Sequence, residues 1–157
     1  MKILVSYFSA SGVTKGAATQ LANLLHADLE EIIPIQKYSD EDLDWQNSRS
    51  RSSLEMKDEK SRPEIIKPIH DLSTYDVIFI GYPIWWYVEP RIIDTYLDSF
   101  NLNGKRIVPF ATSGGSSITG SVKHLRNLYK TAKIEDGVLL NRGINEAVIR
   151  KMIEGDR

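Results

Sequence analysis

The stretch ILVSYFSASGVT, residues 3–14, determines the fold class of this sequence. Its first half, ILVSYF at 3–8, is a nearly continuous apolar run, which is typical of a strand covered on both faces. Its second half, SASGVT at 9–14, holds one glycine and three hydroxyl side chains, and a helical pattern follows it. A buried strand that turns directly into a helix predicts a parallel sheet with crossover helices.

Four further segments have the composition of strands. Three are apolar like the first: DVIFIGY (76–82), RIVPFAT (106–112) and KIEDGVLL (133–140). The fourth, DLEEII (28–33), mixes polar and apolar residues, as expected nearer a sheet edge.

Helical periodicity fills the intervals between these strands. Apolar residues recur at helical spacing in four segments: 14–27, 89–100, 120–130 and 145–155, the last with Asn145 and Gly155 at its ends. The alternation of strand and helix predicts a three-layer α/β fold around an open, doubly wound parallel sheet.

One segment, 34–62, breaks this rhythm. It is polar, with six Lys or Arg and seven Asp or Glu residues, and is too long for an ordinary connection. We interpret it as an irregular insertion within a single domain, 1–157, and expect a short helix at 63–75 after it, with Pro63 at a first helical position. Three roles stay open for the insertion: a mobile solvated loop, a subunit contact, or a lid. A lid would use Trp45 and the arginines Arg49, Arg51 and Arg62.

Composition excludes several classes of protein. A formal charge of −1 gives no electrostatic reason to expect nucleic acid or an anionic membrane as a partner. The chain has no cysteine, so disulfides and thiolate chemistry are excluded. We find neither a secretory signal nor an apolar run long enough to cross a bilayer, and we therefore expect a cytoplasmic protein.

Histidines and acids give no metal-binding pattern. His26, His70 and His124 are isolated and lack ligand spacing, which indicates solvated or helix-surface positions. We therefore expect no metal site.

The loop after the first strand has the features of a phosphate site. A helix N-terminus presents unpaired N–H groups and a partial positive charge, and hydroxyls add neutral donors. Neither the Walker spacing nor the three-glycine dinucleotide pattern is present, so a single phosphate is favoured over a nucleoside triphosphate or a dinucleotide. The alternative is an ordinary helix cap made of small residues. The candidate contacts are Ser9, Ala10, Ser11, Gly12, Val13 and Thr14.

The loops after the third and fourth strands supply different chemistry. Adjacent tryptophans cannot both face one core, so we expect at least one to lie near the surface, where a flat heteroaromatic ligand would suit it; the alternative is packing against the next helix. Two adjacent glycines among hydroxyls expose backbone N–H and C=O groups to a ligand edge, unless that loop is merely a flexible surface turn. The candidates are Pro83, Ile84, Trp85, Trp86 and Tyr87 in one loop, and Thr112, Ser113, Gly114, Gly115 and Ser116 in the other.

In an open parallel sheet these three loops meet beyond the carboxyl ends of the strands. A phosphate site, an aromatic wall and a hydrogen-bonding backbone edge match the three parts of flavin mononucleotide (FMN). The sequence therefore predicts FMN as cofactor and no catalytic side chain, because the flavin itself carries the chemistry.

These residues resemble the flavodoxins over nearly the whole chain. SASGVT is similar to their phosphate loop, PIWW to their second loop and TSGGS to their third, and the insertion is similar to one found in a bacterial branch. The resemblance implies five parallel strands in the order 2-1-3-4-5, an uninterrupted fifth strand as in short-chain members, FMN held without a covalent bond, and a possible homodimer.

Two departures from that family favour a reductase over a low-potential electron carrier. The chain is nearly neutral where carriers are acidic, and its third loop brings neither an aromatic nor an acidic residue. We therefore expect electron transfer with a protein or small-molecule redox partner, or FMN-dependent reduction of a small acceptor such as a quinone by NAD(P)H. The alternative is a flavodoxin-like binding or regulatory module without turnover. A response-regulator receiver is disfavoured, because the required aspartates are missing after the first and third strands.

Overall fold

The computed structural model of the chain describes residues 1–113, 115–141 and 143–154. Its sheet is wholly parallel, with the order β2-β1-β3-β4-β5 and with β6 also paired to β4. This confirms the predicted order 2-1-3-4-5, including DLEEII at one edge. The strands are β1 (Ile3–Tyr7), β2 (Asp28–Glu31), β3 (Val77–Pro83), β4 (Arg106–Thr112), β5 (Lys133–Ile134) and β6 (Val138–Leu139).

The strand predicted as continuous at 133–140 is instead two short segments, β5 and β6. The carbonyl oxygens of Ile107 and Ala111 accept hydrogen bonds from this edge. Pro109, which lies between them, has no N–H to donate, so the ladder loses a bond there. Gly137 lies beside Pro109 and has a φ of 78°, and a Cβ on Gly137 would lie 2.7 Å from the Pro109 oxygen. The continuous strand expected at 133–140 is therefore broken at this point, although only residues 135–137 separate its two segments and both pair with β4.

In the described part of the chain, four helices pack on the two faces of the sheet, and a fifth, α2, lies in the insertion. Helices α1 and α5 pack with Val5 and Phe79 in one buried cluster, and α3 and α4 pack with Ile78 and Ile80 in the other. Among the described residues, no helix has both the length and the apolar character needed to cross a membrane. The helices are α1 (Val13–Leu25), α2 (Arg51–Lys57), α3 (Arg91–Asp98), α4 (Thr119–Leu128) and α5 (Glu146–Glu154).

The start of α5 follows the predicted signal. The Asn145 side-chain oxygen accepts a hydrogen bond from the Val148 N–H at 3.3 Å, as an N-cap does. Gly155, the predicted end, lies outside the described residues.

Between β2 and β3 the chain departs from expectation. The segment 34–62 carries helix α2, and the helix predicted at 63–75 is absent from these described residues apart from a 3₁₀ turn at Leu72–Thr74. Instead, Ile65 forms an antiparallel bridge with Pro34, and the Ile66 N–H donates to the Ile33 oxygen at 2.8 Å. Pro68 also disfavours a helical conformation for the residue before it. These backbone bonds to the chain after β2 replace those that a helix would have made.

Candidate functional site

The loops after β1, β3 and β4 meet at one cavity beyond the carboxyl ends of the strands. Its volume is about 380 Å³, which falls in the range of small-ligand sites. We call it the rim cavity. It is lined by Ser11, Val13, Pro83, Ile84, Trp85, Thr112, Ser113 and Asn141. Seven of these eight were predicted from the sequence, and they come from all three predicted loops.

The first loop is shaped from within by Ser9. Its hydroxyl oxygen accepts hydrogen bonds from the N–H groups of Gly12 and Lys15, each at 3.1 Å. Gly12 caps α1 with a φ of 94°, a left-handed conformation that favours glycine. Ser9 thus sets the curvature of the loop around the helix start.

Three amides remain available at this helix start. Within the described part of the chain, the N–H groups of Ser11, Val13 and Thr14 donate to no protein acceptor. The side chain of Ser11 is exposed beside them. An exposed hydroxyl with free N–H groups at the positive end of a helix is suited to an anion.

The Thr14 hydroxyl is engaged inside the protein. Thr14 is buried, and its Oγ1 lies 2.8 Å from the Oγ1 of Thr112 at the end of β4. This buried hydrogen bond joins the first loop to the third, and so fixes the distance across the rim cavity.

Trp85 forms the aromatic wall of the cavity. It is partly buried and packs edge-on against Phe8, at 5.8 Å between ring centroids, and against Tyr38, at 5.6 Å. Such contacts fix the ring plane and add to the stability gained from burial.

Trp86 and Tyr87 lie at the tip of a tight turn with unusual backbone geometry. Their φ angles are 47° and 70°, and the Trp85 N–H donates to the Val88 oxygen at 3.0 Å. Positive φ at both central positions is typical of a type I′ turn, which ordinarily selects glycine or asparagine. Two aromatic residues held in this conformation are strained, and both are exposed, by 43% and 72%. The prediction that at least one adjacent tryptophan lies near the surface is confirmed.

The third loop is tied to the fifth strand. The Ser113 N–H donates to the Asn141 side-chain oxygen at 2.7 Å, and the Ser113 hydroxyl accepts from the N–H groups of Gly115 and Ser116. Gly114 lies outside the described residues. Ser113 therefore ties Gly115 and Ser116 to Asn141.

Several predicted residues lie outside the lining of the rim cavity. Ser9 and Ala10 line a smaller neighbouring cavity of about 170 Å³. Trp86 lines a third cavity, of about 250 Å³, which we call the insertion cavity. Its other lining residues are Trp45, Gln46, Ser48, Ser53, Met56 and Lys57.

Sequence reasoning missed three residues that build the site. Asn141 follows the predicted fifth strand directly, so the rule that ligands bind at carboxyl strand ends was signal enough to find it. Phe8 carried a weaker signal, as the last residue of the first strand. Tyr38 lies in the polar insertion, and nothing in the sequence indicated its contact with Trp85.

The insertion supports the aromatic wall through Tyr38. The Tyr38 hydroxyl donates to Glu55 at 2.5 Å, and the Arg51 guanidinium lies 3.8 Å from the centre of its ring. Burial, followed by the bond to Glu55, raises the pKa of Tyr38 far above its ordinary range, so the phenol keeps its proton. Arg51 is also paired with Glu55, and Arg62 with Asp98, so two of the three arginines named for a lid are engaged within the chain.

Comparison with known proteins identifies the family. A profile described as flavodoxin matches residues 2–155. The chain belongs to the flavodoxin family. No curated protein matches it.

Solved structures support this membership. A protein from Bacteroides eggerthii DSM 20697, described as a candidate flavoprotein, is 51% identical, with a TM-score of 0.93 over 98% of this chain and 96% of that one. A similar protein from Bacteroides uniformis ATCC 8492 is 44% identical, with a TM-score of 0.90 over 98% and 97% of the two chains. A flavoprotein from Lactobacillus acidophilus NCFM, solved in complex with FMN, is 27% identical, with a TM-score of 0.74 over 88% and 91%.

The rim cavity of this flavodoxin-family protein is uncharged. Among the described residues, no Asp, Glu, Lys or Arg lines it. An anion bound there would be held by amides, a hydroxyl and the helix dipole, without a neutralising side chain.

Proposed function

We propose that this flavodoxin-family protein binds FMN in the rim cavity and catalyses the reduction of a small acceptor such as a quinone. The observation that supports this most directly is the meeting of the three loops at one uncharged cavity, with free helix amides on one side and an indole wall on another. The FMN complex of the Lactobacillus acidophilus flavoprotein is consistent with it.

The residues present fit the parts of FMN. The free amides of Ser11, Val13 and Thr14, with the Ser11 hydroxyl, would hold a phosphate. Trp85, in the lining of the rim cavity, would flank the ring, as aromatic faces favour flat heterocycles. Trp86 lines the insertion cavity, so it would contact the ring only at its exposed margin. The remaining backbone contacts would come from Ala10, Gly12, Pro83, Ile84, Tyr87, Thr112, Ser113, Gly115 and Ser116.

When bound, FMN would supply one- and two-electron chemistry. The chain's own contribution is to fix position and charge. Trp85, held by Phe8 and Tyr38, orients the ligand and excludes water from one side. Because the described lining carries no carboxylate, negative charge that builds up there meets no repulsion.

Two features favour a reductase over a carrier. The formal charge of −1 gives no strong field to steer a basic protein partner. The exposed turn at Trp86 lies between the rim cavity and the insertion cavity, so a small aromatic acceptor has a place to bind close to the cofactor. A protein redox partner, a homodimer and a cytoplasmic location remain our proposals alongside this one.

The test begins with an absorption spectrum of the purified protein after FMN has been added. NADH or NADPH is then added, first without and then with a quinone, and the flavin absorbance is followed. We expect a stoichiometric flavin spectrum, bleaching by one nicotinamide donor and turnover when quinone is added. Bleaching only through a separate reductase would establish a carrier instead. Flavin that is bound but reduced by none of these would identify a regulatory module, and no bound flavin would overturn the proposal.

A further inference from the structure

Two buried carboxylates and a partly buried histidine cluster beside the second loop. Glu89 precedes α3, Asp94 lies in its first turn and His124 lies in α4. One potential ligand atom from each lies within 4.8 Å of the others. None of the three is among the proposed FMN contacts. His124 was predicted to be solvated or at a helix surface, and that prediction was wrong, because both its ring nitrogens face carboxylates.

Two carboxylate oxygens of the cluster are buried without a hydrogen-bond partner. Glu89 and Asp94 are both 0% exposed, and Glu89 Oε1 and Asp94 Oδ2 have no hydrogen-bond partner. Arg62 is bonded to Asp98, Arg91 donates to the Met56 carbonyl but leaves its Nη1 without a partner, and His124 faces Glu89 at 2.7 Å. His124 offsets at most one of the two buried carboxylates, so the unpartnered oxygens of Glu89 and Asp94 still need a cation or a proton between them.

His124 joins the cluster to the insertion through both of its ring nitrogens. Its Nδ1 lies 2.7 Å from Glu89 Oε2, inside the cluster, and its Nε2 lies 2.8 Å from Glu59 Oε1, outside it. A histidine that binds metal through one nitrogen almost always donates its other N–H to a carboxylate or carbonyl. Glu59 is 65% exposed on its side chain, so the cluster is open to solvent from the insertion.

We propose that Glu89, Asp94 and His124 bind one divalent transition-metal ion, with Zn²⁺ as the best match, and that Glu59 positions the imidazole. Two carboxylates balance the charge of the ion, and an imidazole with carboxylates is a donor set that zinc accepts. Two zinc–ligand bonds of about 2.1 Å span at most about 4.2 Å, so only small side-chain shifts are needed. Magnesium prefers an oxygen-only octahedron and retains waters, which this buried nitrogen-containing site does not suit.

The competing occupant is a proton shared by the two carboxylates. Burial and the adjacent Glu89 raise the pKa of Asp94, which favours such a proton in the absence of metal. A shared proton satisfies the free oxygens just as a metal does. The experiment must therefore separate these two occupants.

Asp94→Asn makes that separation. The amide keeps the shape of the side chain and donates a hydrogen bond to Glu89, as a protonated acid does, but it is a poor zinc ligand. His124→Gln removes the nitrogen ligand. His26→Asn is the matched control, because His26 is exposed at the end of α1 with a φ of 50°, which asparagine tolerates.

Zinc is titrated into the untagged protein by calorimetry, and the bound metal is counted after dialysis. We expect one Zn²⁺ per wild-type chain, unaffected by millimolar Mg²⁺, with a rise in melting temperature. Asp94→Asn and His124→Gln should weaken zinc binding by more than about 100-fold and Glu59→Gln by about 10- to 100-fold. His26→Asn should bind as wild type does.

Two results would overturn the proposal. One is a wild-type protein that retains no stoichiometric zinc, which would leave the shared proton as the occupant. The other is Asp94→Asn or His124→Gln protein, with wild-type circular dichroism, that binds zinc as tightly as wild type. Apoprotein and FMN-loaded protein are measured separately, so that a failure of flavin binding does not affect the result.

Discussion

The rim cavity and the insertion cavity lie on either side of the turn at Trp86 but are built in different ways. The rim cavity is lined by uncharged residues whose positions follow from strand ends and backbone hydrogen bonds. The insertion cavity is lined by two tryptophans, a methionine and a lysine, and rests on side-chain contacts from a polar segment. The sheet therefore preorganises one site, and the other depends on how the insertion packs.

This difference bears on function. A cofactor site benefits from rigid positions, because every group fixed before binding reduces the entropy lost on binding. An acceptor site that must admit and release small molecules can be looser and more exposed. The strained turn between them presents Trp86 toward the insertion cavity while Trp85 belongs to the rim cavity.

The largest expected effect separates the two tryptophans. Trp85→Ala should lower the free energy of unfolding by about 3 kcal/mol, because it removes packing against Phe8 and Tyr38. Trp86→Ala should change it by less than about 0.5 kcal/mol and weaken FMN binding by about 1 kcal/mol. Urea unfolding and flavin fluorescence measure the two quantities. If both variants lose the same stability, Trp85 is packed no better than Trp86, and the difference between the rim cavity and the insertion cavity is contradicted.

The next effect concerns charge. Ser11→Glu places a carboxylate beside the free amides of the first loop, so we expect FMN affinity to fall by about 100-fold, or about 2.7 kcal/mol. Ser48→Glu, on the exposed insertion side, adds the same charge and should leave affinity unchanged. Fluorescence titration with FMN gives both constants. If Ser11→Glu binds FMN as tightly as the wild type does, the phosphate of FMN does not bind at this loop.

A smaller effect is expected at Gly120. A Cβ at this position would lie 2.6 Å from the backbone oxygen of Tyr87, so Gly120→Ala must displace the second loop. We expect a loss of about 2 kcal/mol in stability, with weaker FMN binding. Gly16→Ala is the matched control, because no atom lies within 4 Å of its added Cβ and a helical alanine should stabilise by about 0.5–1 kcal/mol. Identical stabilities for the two variants would contradict the close approach of the loop to α4.

The smallest effect tests how firmly the rim cavity is preorganised. Thr14→Val removes the buried bond to Thr112 and leaves that hydroxyl without a partner, at a cost of about 1 kcal/mol. The double variant with Thr112→Val should cost less than the sum of the two single variants. Thermal unfolding of all four proteins gives the coupling energy. Simple additivity would mean that the bond does not hold the two loops together.

Much of the cofactor side followed from the sequence. Near-continuous apolar runs predicted buried parallel strands, and parallel strands bring their carboxyl ends to one edge, so three distant loops were expected to meet. The roles of individual hydroxyls did not follow. Ser9 and Thr14 were expected to face the ligand, yet their oxygens are bonded within the protein. Composition does not tell which of several neighbouring hydroxyls points inward.

The insertion side was much less predictable. A helix was expected at 63–75, where the chain pairs instead with residues after β2, and His124 was read as solvated. Both errors have one cause, because contacts between residues far apart in sequence overrode local preference. The Tyr38 contact with Trp85 and the Glu59 contact with His124 join the insertion to the core across 47 and 65 positions.

The sequence alone determined the layers of the fold, because hydrophobic periodicity is local. It also determined the strand order, through the family resemblance, and the rim where the loops meet, because parallel strands bring their carboxyl ends to one edge of the sheet. Only the tertiary structure decided which side chains line the rim cavity, how the turn at Trp86 is strained, and that Glu89, Asp94 and His124 lie together. Those outcomes depend on packing between α3, α4 and the insertion, where the direction of each side chain is set by neighbours that no local pattern specifies.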